Sequence, residues 1–575
     1  MRLLIPWLIW LTAIVPATLG SIVAYAEEIA TPTVGETVRV QLMWHHHAEF
    51  AGMYVAQMRR HFAHAGLNVE VIEGAPGVNS LAALADGSAD VALAWLESAL
   101  DWQSKIPITN IAQIFDGSSL LLLCRISAGI YTPKDLPGQS IGIWGIGDEY
   151  SVHGMLKAHN IPKESVKLIT QRPNGLDLVE GKLNCVTALA YNEYWRILEQ
   201  GIPADDLLVL RPEAVGIQQM ENGLYVRTQR LANPAFQSML VRFLRALREG
   251  WMEAIASPTL ATKAVQQFAP GSDADQQRLM LETIAPMIPE ADRFGLFNLD
   301  RYAAVQELRA LNGEVPDSER AIWTHRIWNA LQEQDGRSKF LTAATEYQIN
   351  RLIAQPAFQA FVLFGVLTFA LSGVLEAVNR GYDFWGRLIL AVLSGLGGGT
   401  LRDLLIGGDR LPLFYITNPV YPLSILTLVL ITSLIVILFR DIQDTCLFKR
   451  VKSSSDIVGF AVLAVVGAQV AVAADMSLFW VPICAALTCA GGGMLRDIVI
   501  NQEPRTFKGM IYEETAIVGG LVLVAGLAIA NQFEHSSYAV YLCVAAAITS
   551  VLVIRTLVQV FDLRYPSRFF GPPRI

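Results

Sequence analysis

Gly397-Gly398-Gly399-Thr400-Leu401-Arg402-Asp403 and Gly491-Gly492-Gly493-Met494-Leu495-Arg496-Asp497 are near-copies of one phrase, each set in an apolar stretch. A glycine triplet weakens a helix, and ionisable groups are costly inside a bilayer, so the phrase marks a functional pathway. The duplication is regular. Gly365 to Gly459, Gly373 to Gly467 and Gly397 to Gly491 are each 94 positions apart (491 − 397 = 94). Apolar blocks of spanning length lie near 358–378, 386–407, 419–439, 457–475, 478–500, 514–532 and 538–561. About 20 residues suffice for a helix to cross the hydrocarbon.

Each copy therefore holds three spans, in repeats of about 358–440 and 456–533, followed by a last helix at 538–561. Three is odd, so the second copy enters the bilayer from the opposite side, the inverted-repeat plan of secondary transporters. Loop charges orient the chain. Arg380, then Arg440, Lys449, Arg450 and Lys452, then Arg505 and Lys508, then Arg564, Arg568 and Arg574 fall on one side, and Arg410 is the exception. The positive-inside rule puts that side, the C-terminus and the 566–575 tail in the cytoplasm.

The glycines are expected to break spans two and five, freeing backbone carbonyls and amides that only a cavity or neighbouring protein could satisfy. Freed carbonyls would coordinate a cation or ammonium group, and a half-helix N-terminus would hold a carboxylate. Arg402 with Asp403, and Arg496 with Asp497, would supply fixed charge at the mouths. The expected pathway residues are Ser372, Gly397, Gly398, Gly399, Arg402, Asp403, Gly491, Gly492, Gly493, Arg496 and Asp497. The competing reading makes the glycines close-packing positions and the Arg-Asp pairs interfacial anchors.

The region 356–565, through Phe369-Ala370-Leu371-Ser372-Gly373, Asp456-Ile457-Val458-Gly459 and the two Gly-Gly-Gly phrases, resembles a bacterial membrane family of two three-span repeats plus a seventh helix. That family is itself similar to the trimeric intracellular cation channels, and one member is assigned as a glycine transporter. The resemblance implies a homotrimer with one pore per protomer.

The remainder of the 575 residues reads differently, although the mean hydropathy of the whole is +0.38. Residues 1–26 carry Arg2, an apolar run and Ala24-Tyr25-Ala26, and are expected to be a secretory signal, an uncleaved anchor being the rival. Either exports the globular region 27–335, which a helical linker at 336–355 would tether to the spans. The six cysteines form no disulfide framework: Cys124 and Cys185 are isolated, and no CxxC spacing suggests a metal or redox role. A net charge of −8 gives no basic stripe for nucleic acid.

From Val38, strands alternate with helices, which predicts an α/β fold with mainly parallel sheets. A second unit at about 127–222, and a return near Leu224-Tyr225-Val226, predict two lobes hinged about a ligand. Ligands of such sheets bind at strand ends. Four clusters fall there: Trp44, His47, Phe50 and Tyr54; Trp95 and Glu97; Trp144, Glu149 and Tyr150, beside Asp148; and Tyr191, Asn192 and Glu193, beside Trp195. Aromatics with carboxylates suit a flat, nitrogen-rich or cationic molecule. Trp102, Trp251 and Trp323 read as core.

This half resembles the thiamine-pyrimidine-precursor and nitrate/sulfonate/taurine-type periplasmic binding proteins. The carriers are 44–56 (Trp44-His45-His46-His47-Ala48-Glu49-Phe50 onward), 66–70, 90–92, Tyr191-Asn192-Glu193-Tyr194-Trp195 and Asn222-Gly223-Leu224-Tyr225. The eukaryotic pyrimidine-making branch of that superfamily carries a cysteine run, which this chain lacks. His45-His46-His47 invites zinc, but successive residues of extended chain point to alternate sides, so at most two converge. No metal, cofactor or catalytic residue is expected.

The reading that follows is a bacterial inner-membrane transport protein whose exported lobes capture a small solute, pyrimidine-like or a small amino acid, for a fused transporter. No GxxxxGK[ST] loop is present to use ATP by that route. The alternative is a ligand-gated cation channel or receptor whose ligand does not cross.

Overall fold

Val38 and Val40 are buried on either side of the half-exposed Arg39 in strand β1 (Glu36–Gln41). That alternation places one face of a sheet on a core. The computed structural model describes residues 35–313, 321–337, 339–407, 413–438, 445–504, 511, 513–561 and 563. The expected signal segment, the C-terminal tail and Arg410, Arg440, Arg505, Lys508, Arg564, Arg568 and Arg574 lie outside the described residues. The chain divides into two units, Met1–Ser338 and Lys339–Ile575.

The first unit contains two five-stranded sheets. One uses β1, β2 (Leu67–Ile72), β3 (Val91–Ala94), β4 (Ile108–Gln113) and β10 (Gly223–Arg227), in the order β2-β1-β3-β10-β4. The other uses β5 (Leu120–Arg125), β6 (Ser140–Ile143), β7 (Lys167–Thr170), β8 (Cys185–Leu189) and β9 (Leu207–Leu210), in the order β7-β6-β8-β5-β9. Each is parallel except for one inserted strand, β10 in the first and β5 in the second. The chain crosses between the sheets twice, from β4 to β5 and from β9 back to β10. This is the expected two-lobed α/β solute-binding architecture. Long helices close it; in Pro234–Ala256, Asn233 caps the first turn and Phe236, Leu240, Phe243, Leu247 and Trp251 are buried at helical spacing.

One expectation is corrected here. Cys124 and Cys185 form a disulfide, although 61 residues separate them. The pairing is invisible in spacing because the register of β5 against β8 creates it, setting the two residues directly opposite.

In the second unit, α-helices α1 (Pro356–Asn379), α2 (Phe384–Ile406), α3 (Val420–Leu438), α4 (Cys446–Ala473), α5 (Trp480–Val499), α6 (Glu513–Ala530) and α7 (Ser537–Val560) are apolar and long enough to cross a membrane. A shorter helix, Ala343–Ala354, falls within this unit. Around it, Thr342 N donates to Asn531 Oδ1 at 3.2 Å, Gln348 to the Glu534 carbonyl at 3.2 Å and Gln355 to Tyr541 Oη at 2.6 Å.

The expected helix breaks are corrected too. Gly397–Gly399 and Gly491–Gly493 lie inside continuous helices α2 and α5. The glycines instead let two backbones touch, as small residues do between membrane helices. A Cβ on Gly492 would stand 2.6 Å from the Ser394 carbonyl oxygen, and one on Gly398 would collide with the Thr488 carbonyl oxygen. Gly398 and Gly492 are equivalent positions of the duplication, and so are Ser394 and Thr488. The contact is therefore reciprocal, and numbers rise along α2 as they fall along α5, so the helices cross antiparallel.

Two further contacts repeat with the same offset. Gly373 abuts the Leu390 carbonyl and Ser394 hydroxyl, and Gly467 abuts those of Cys484 and Thr488. Gly365 meets Val462, and Gly459 meets Thr368 and Phe369. The α1–α2 and α4–α5 pairs thus repeat one set of contacts and meet each other antiparallel.

Candidate functional site

Two cavities lie where the strand ends of the first unit meet. The smaller, about 30 Å³, is lined by Trp44, His47, Glu49, Trp95, Trp144, Asn192 and Glu193 with Met43, Ile146 and Leu189. The wider, about 450 Å³, shares Trp44, Trp95 and Trp144 and adds Asn79, Ser98 and Gln171. Trp95 and Trp144 meet edge to face with ring centroids 6.3 Å apart. The Trp144 loop is built by Asp148, whose carboxylate accepts from Trp144 N at 2.8 Å, Gly145 N at 2.9 Å and Thr187 Oγ1 at 2.7 Å. Gly147, at φ 113°, allows this loop to press on Glu97, whose side chain a Cβ there would strike.

Burial governs the electrostatics of the cleft. Burial pushes the carboxyls of Glu49 and Glu97 up to about 8, and those of Glu193 and Glu221 up to about 7. The surrounding acids reinforce the effect for Glu49, Glu97 and Glu221. Burial, together with His45 and His46, pushes His47 down to about 3. The 3.5 Å approach of His47 Nε2 to Glu49 Oε2 is therefore a contact between neutral groups rather than an ion pair.

Several buried polar atoms of the cleft have no hydrogen-bond partner among the described residues, Trp95 Nε1, Trp144 Nε1 and Glu97 Oε2 among them. Tyr191 and Asn222 instead turn to the Glu49 carboxyl. Native interiors rarely leave such groups unpaired, and around a cleft they define what a ligand must supply. The supply is of both kinds: acceptors for the indoles, donors for the carboxylates.

The expected residues separate as follows. Trp44, His47, Trp95, Trp144, Asn192 and Glu193 line the cavities. Glu97 is buried with one carboxyl oxygen unpaired, and Tyr191 is buried with its hydroxyl toward Glu49. Phe50 stacks on His47 at 5.4 Å, Tyr54 stacks on Phe268 at 4.4 Å, and Tyr150 carries Arg309 over its ring at 4.7 Å. These three line neither cavity. Glu149 accepts from Gly147 N at 3.0 Å. The histidine triplet disperses, His45 to Glu73 at 3.2 Å and His46 to Tyr54 Oη at 2.7 Å. Glu49, Glu221 and Asn222 were missed. Glu49 stands two residues after His47, where the turn Ala48–Phe50 brings both inward.

In the second unit, a cavity of about 350 Å³ is lined by Gly395, Gly399, Arg402, Asp403, Tyr421, Gln469 and Thr488, among others. Arg402 Nε donates to Asp403 Oδ1 at 2.8 Å, and Arg496 Nε to Asp497 Oδ1 at 3.0 Å. All four side chains are buried. Of the expected pathway residues, Gly399, Arg402 and Asp403 line this cavity. Gly397, Gly398, Gly491 and Gly492 lie in the α2–α5 crossing; Ser372 is buried in α1; a Cβ on Gly493 would meet no atom within 4 Å.

Fold and cleft define a two-lobed solute-binding domain joined to a multi-pass helical membrane domain. Residues 47–261 match the NMT1/THI5 like family, and residues 359–441 and 454–528 match the Glycine transporter family, one segment for each repeat. The UPF0126 inner membrane protein YadS of Escherichia coli is 32% identical over 158 residues, covering 28% of this chain and 73% of YadS. By that likeness the chain belongs to the UPF0126 membrane-protein family. A formylaminopyrimidine-binding protein of Halalkalibacterium halodurans is 23% identical over 226 residues, 39% of this chain and 68% of that protein. A trimeric intracellular cation channel orthologue of Rhodobacter sphaeroides is 27% identical, covering 36% of this chain and 100% of its own, with a TM-score of 0.32.

Proposed function

We propose that the first unit captures a small, flat solute with basic or amino nitrogens and that the membrane unit passes it across the bilayer. The observation that carries this reading is the cleft itself. Glu49 and Glu193 sit among Trp44, Trp95 and Trp144 with unpaired donors and acceptors around them. An aminopyrimidine would stack on the indoles and present ring nitrogen and amine to a carboxyl, so the solute bound by the Halalkalibacterium relative is a fitting class. Tethering keeps captured solute at an effective concentration on the order of millimolar, provided the linker permits docking. The positive-inside bias supports lobes outside and the C-terminus in the cytoplasm. The similarity to trimeric channels supports assembly as a homotrimer.

The test uses the full chain. Formylaminopyrimidine, glycine and an aliphatic sulfonate are screened by thermal shift, and the binder is then followed into proteoliposomes. Glu193→Gln should weaken both binding and uptake. Binding without any uptake would leave a receptor only.

A second reading, a ligand-gated ion channel, is favoured by the unbroken α2 and α5, which lack the interrupted helices of many transporters. Ion current evoked by a ligand that stays outside would select it.

A further inference from the structure

Gln469, on α4, is 1% exposed, lines the membrane-unit cavity, and has no hydrogen-bond partner for either its amide oxygen or its amide nitrogen among the described residues. The duplication supplies an internal comparison. Ninety-four positions earlier stands Leu375, a buried apolar residue of α1 (469 − 375 = 94). The glycine contacts of the two copies agree position by position, so the fold itself is satisfied by leucine at this place. A glutamine that leaves both polar atoms unpaired is destabilising relative to leucine. Its presence in one copy, beside the cavity, is then explained by something that enters the cavity.

We propose that this cavity is a solute-holding chamber and that Gln469 is its specificity-determining contact. The occupant it fits is a small organic molecule offering a hydrogen-bond donor and acceptor side by side. The amide presents one group of each kind, and a fork of that type selects ligands that answer both, because a ligand lacking one leaves a buried group unpaired. Arg402 and Asp403 reinforce the choice. Their guanidinium and carboxylate lie 2.7 Å apart in the same cavity wall, so the wall presents both charges together and no excess of negative charge to draw a bare metal cation. Thr488 adds little, since its hydroxyl is engaged by the Cys484 carbonyl at 2.6 Å. This inference rests on the transport reading for the membrane unit alone and does not depend on which solute the lobes capture.

The experiment compares the wild-type full chain with Gln469→Leu and Gln469→Asn in proteoliposomes, using labelled glycine, labelled acetamide and potassium as probes, alongside melting in detergent. Glycine and acetamide separate a zwitterionic from a neutral occupant. The proposal expects uptake of at least one of them to fall about tenfold in Gln469→Leu and less in Gln469→Asn. It also expects Gln469→Leu to melt no lower than wild type, since it removes an unpaired buried amide. Equal uptake by wild type and Gln469→Leu overturns the proposal. So does a clearly lower melting temperature, which would reveal a structural partner for the amide. A wild type that passes potassium alone, or none of the three, overturns it as well. In those cases capture by the lobes still stands or falls on the Glu193→Gln measurement.

Discussion

Ser119 donates twice to the carboxylate of Glu221, from its backbone N at 2.8 Å and its Oγ at 3.0 Å. Ser118 Oγ adds a third bond at 2.8 Å. Ser118 and Ser119 precede β5, and Glu221 precedes β10, so these bonds fasten together the two segments that cross between the lobes. A hinge of this kind turns on few residues, and here a carboxyl pushed up to about 7 holds it.

Glu221→Gln should keep the fold but replace a charged acceptor pair with one oxygen and one amide. Hydrogen bonds to charged groups contribute about 1.5–3 kcal/mol, and part of that should be lost at pH 8. Tryptophan fluorescence of Trp95 and Trp144, followed during solute titration, should report altered closure in the variant. An unchanged titration would remove Glu221 from the hinge.

The buried acids dictate a pH dependence. Glu49, Glu97, Glu193 and Glu221 hold protons in the folded lobes far above their usual 4.5. Folded protein therefore binds more protons than unfolded chain between about pH 4.5 and 8. The stability these groups contribute is present below the unfolded value and is lost as pH rises through 7 to 8. Ligand-free lobes should melt at higher temperature near pH 5 than near pH 8, by calorimetry of the full chain. The opposite slope across that window would contradict the burial of these carboxyls.

A cationic solute reverses that balance. It requires ionised Glu49 or Glu193, so its affinity should rise with pH up to about 8 and its binding should release protons, measurable by titration in buffers of different ionisation enthalpy. A solute bound with no proton release would be a neutral one.

The α2–α5 crossing sets the fate of its glycines. Gly398→Leu or Gly492→Leu should prevent assembly of the membrane unit, because side chain would replace backbone contact with the Thr488 or Ser394 carbonyl. Overpacking typically costs about 1–3 kcal/mol even where neighbours can yield, and a carbonyl in a helix yields little. Gly493→Ala, with open space around it, should assemble normally. Size-exclusion profiles in detergent distinguish the outcomes.

Reduction offers a separate handle on the second lobe. Closing a loop of 61 residues with Cys124–Cys185 stabilises by about 4 kcal/mol on the chain-entropy account. Cys124→Ser should lower the melting of the lobes without moving that of the membrane unit.

The parts legible in sequence were those written locally. Apolar runs located α1 to α7 within two residues at each end, except that α4 begins at Cys446, 11 residues before its apolar block, because its first turns are polar. Alternation at Val38 and Val40 located the first sheet. What a glycine does could not be read locally, because loosening its own helix and admitting another backbone look alike until Thr488 is seen across from Gly398. The Cys124–Cys185 bond likewise waits on strand register. Glu49 stood in plain view within the quoted histidine segment, yet only the turn after His47 decides that its carboxyl faces inward. Gln469 is more instructive, since aligning the chain with itself at the 94-residue offset would have exposed its mismatch with Leu375.

The mirrored crossing also governs how this gene segment can change over time. At Gly398, Gly492, Ser394 and Thr488 each half is the other's mould, so a drift on one side demands an answering drift on the other. Away from that seam the halves are released from each other, and it is there that one ancestral design becomes free to acquire a direction.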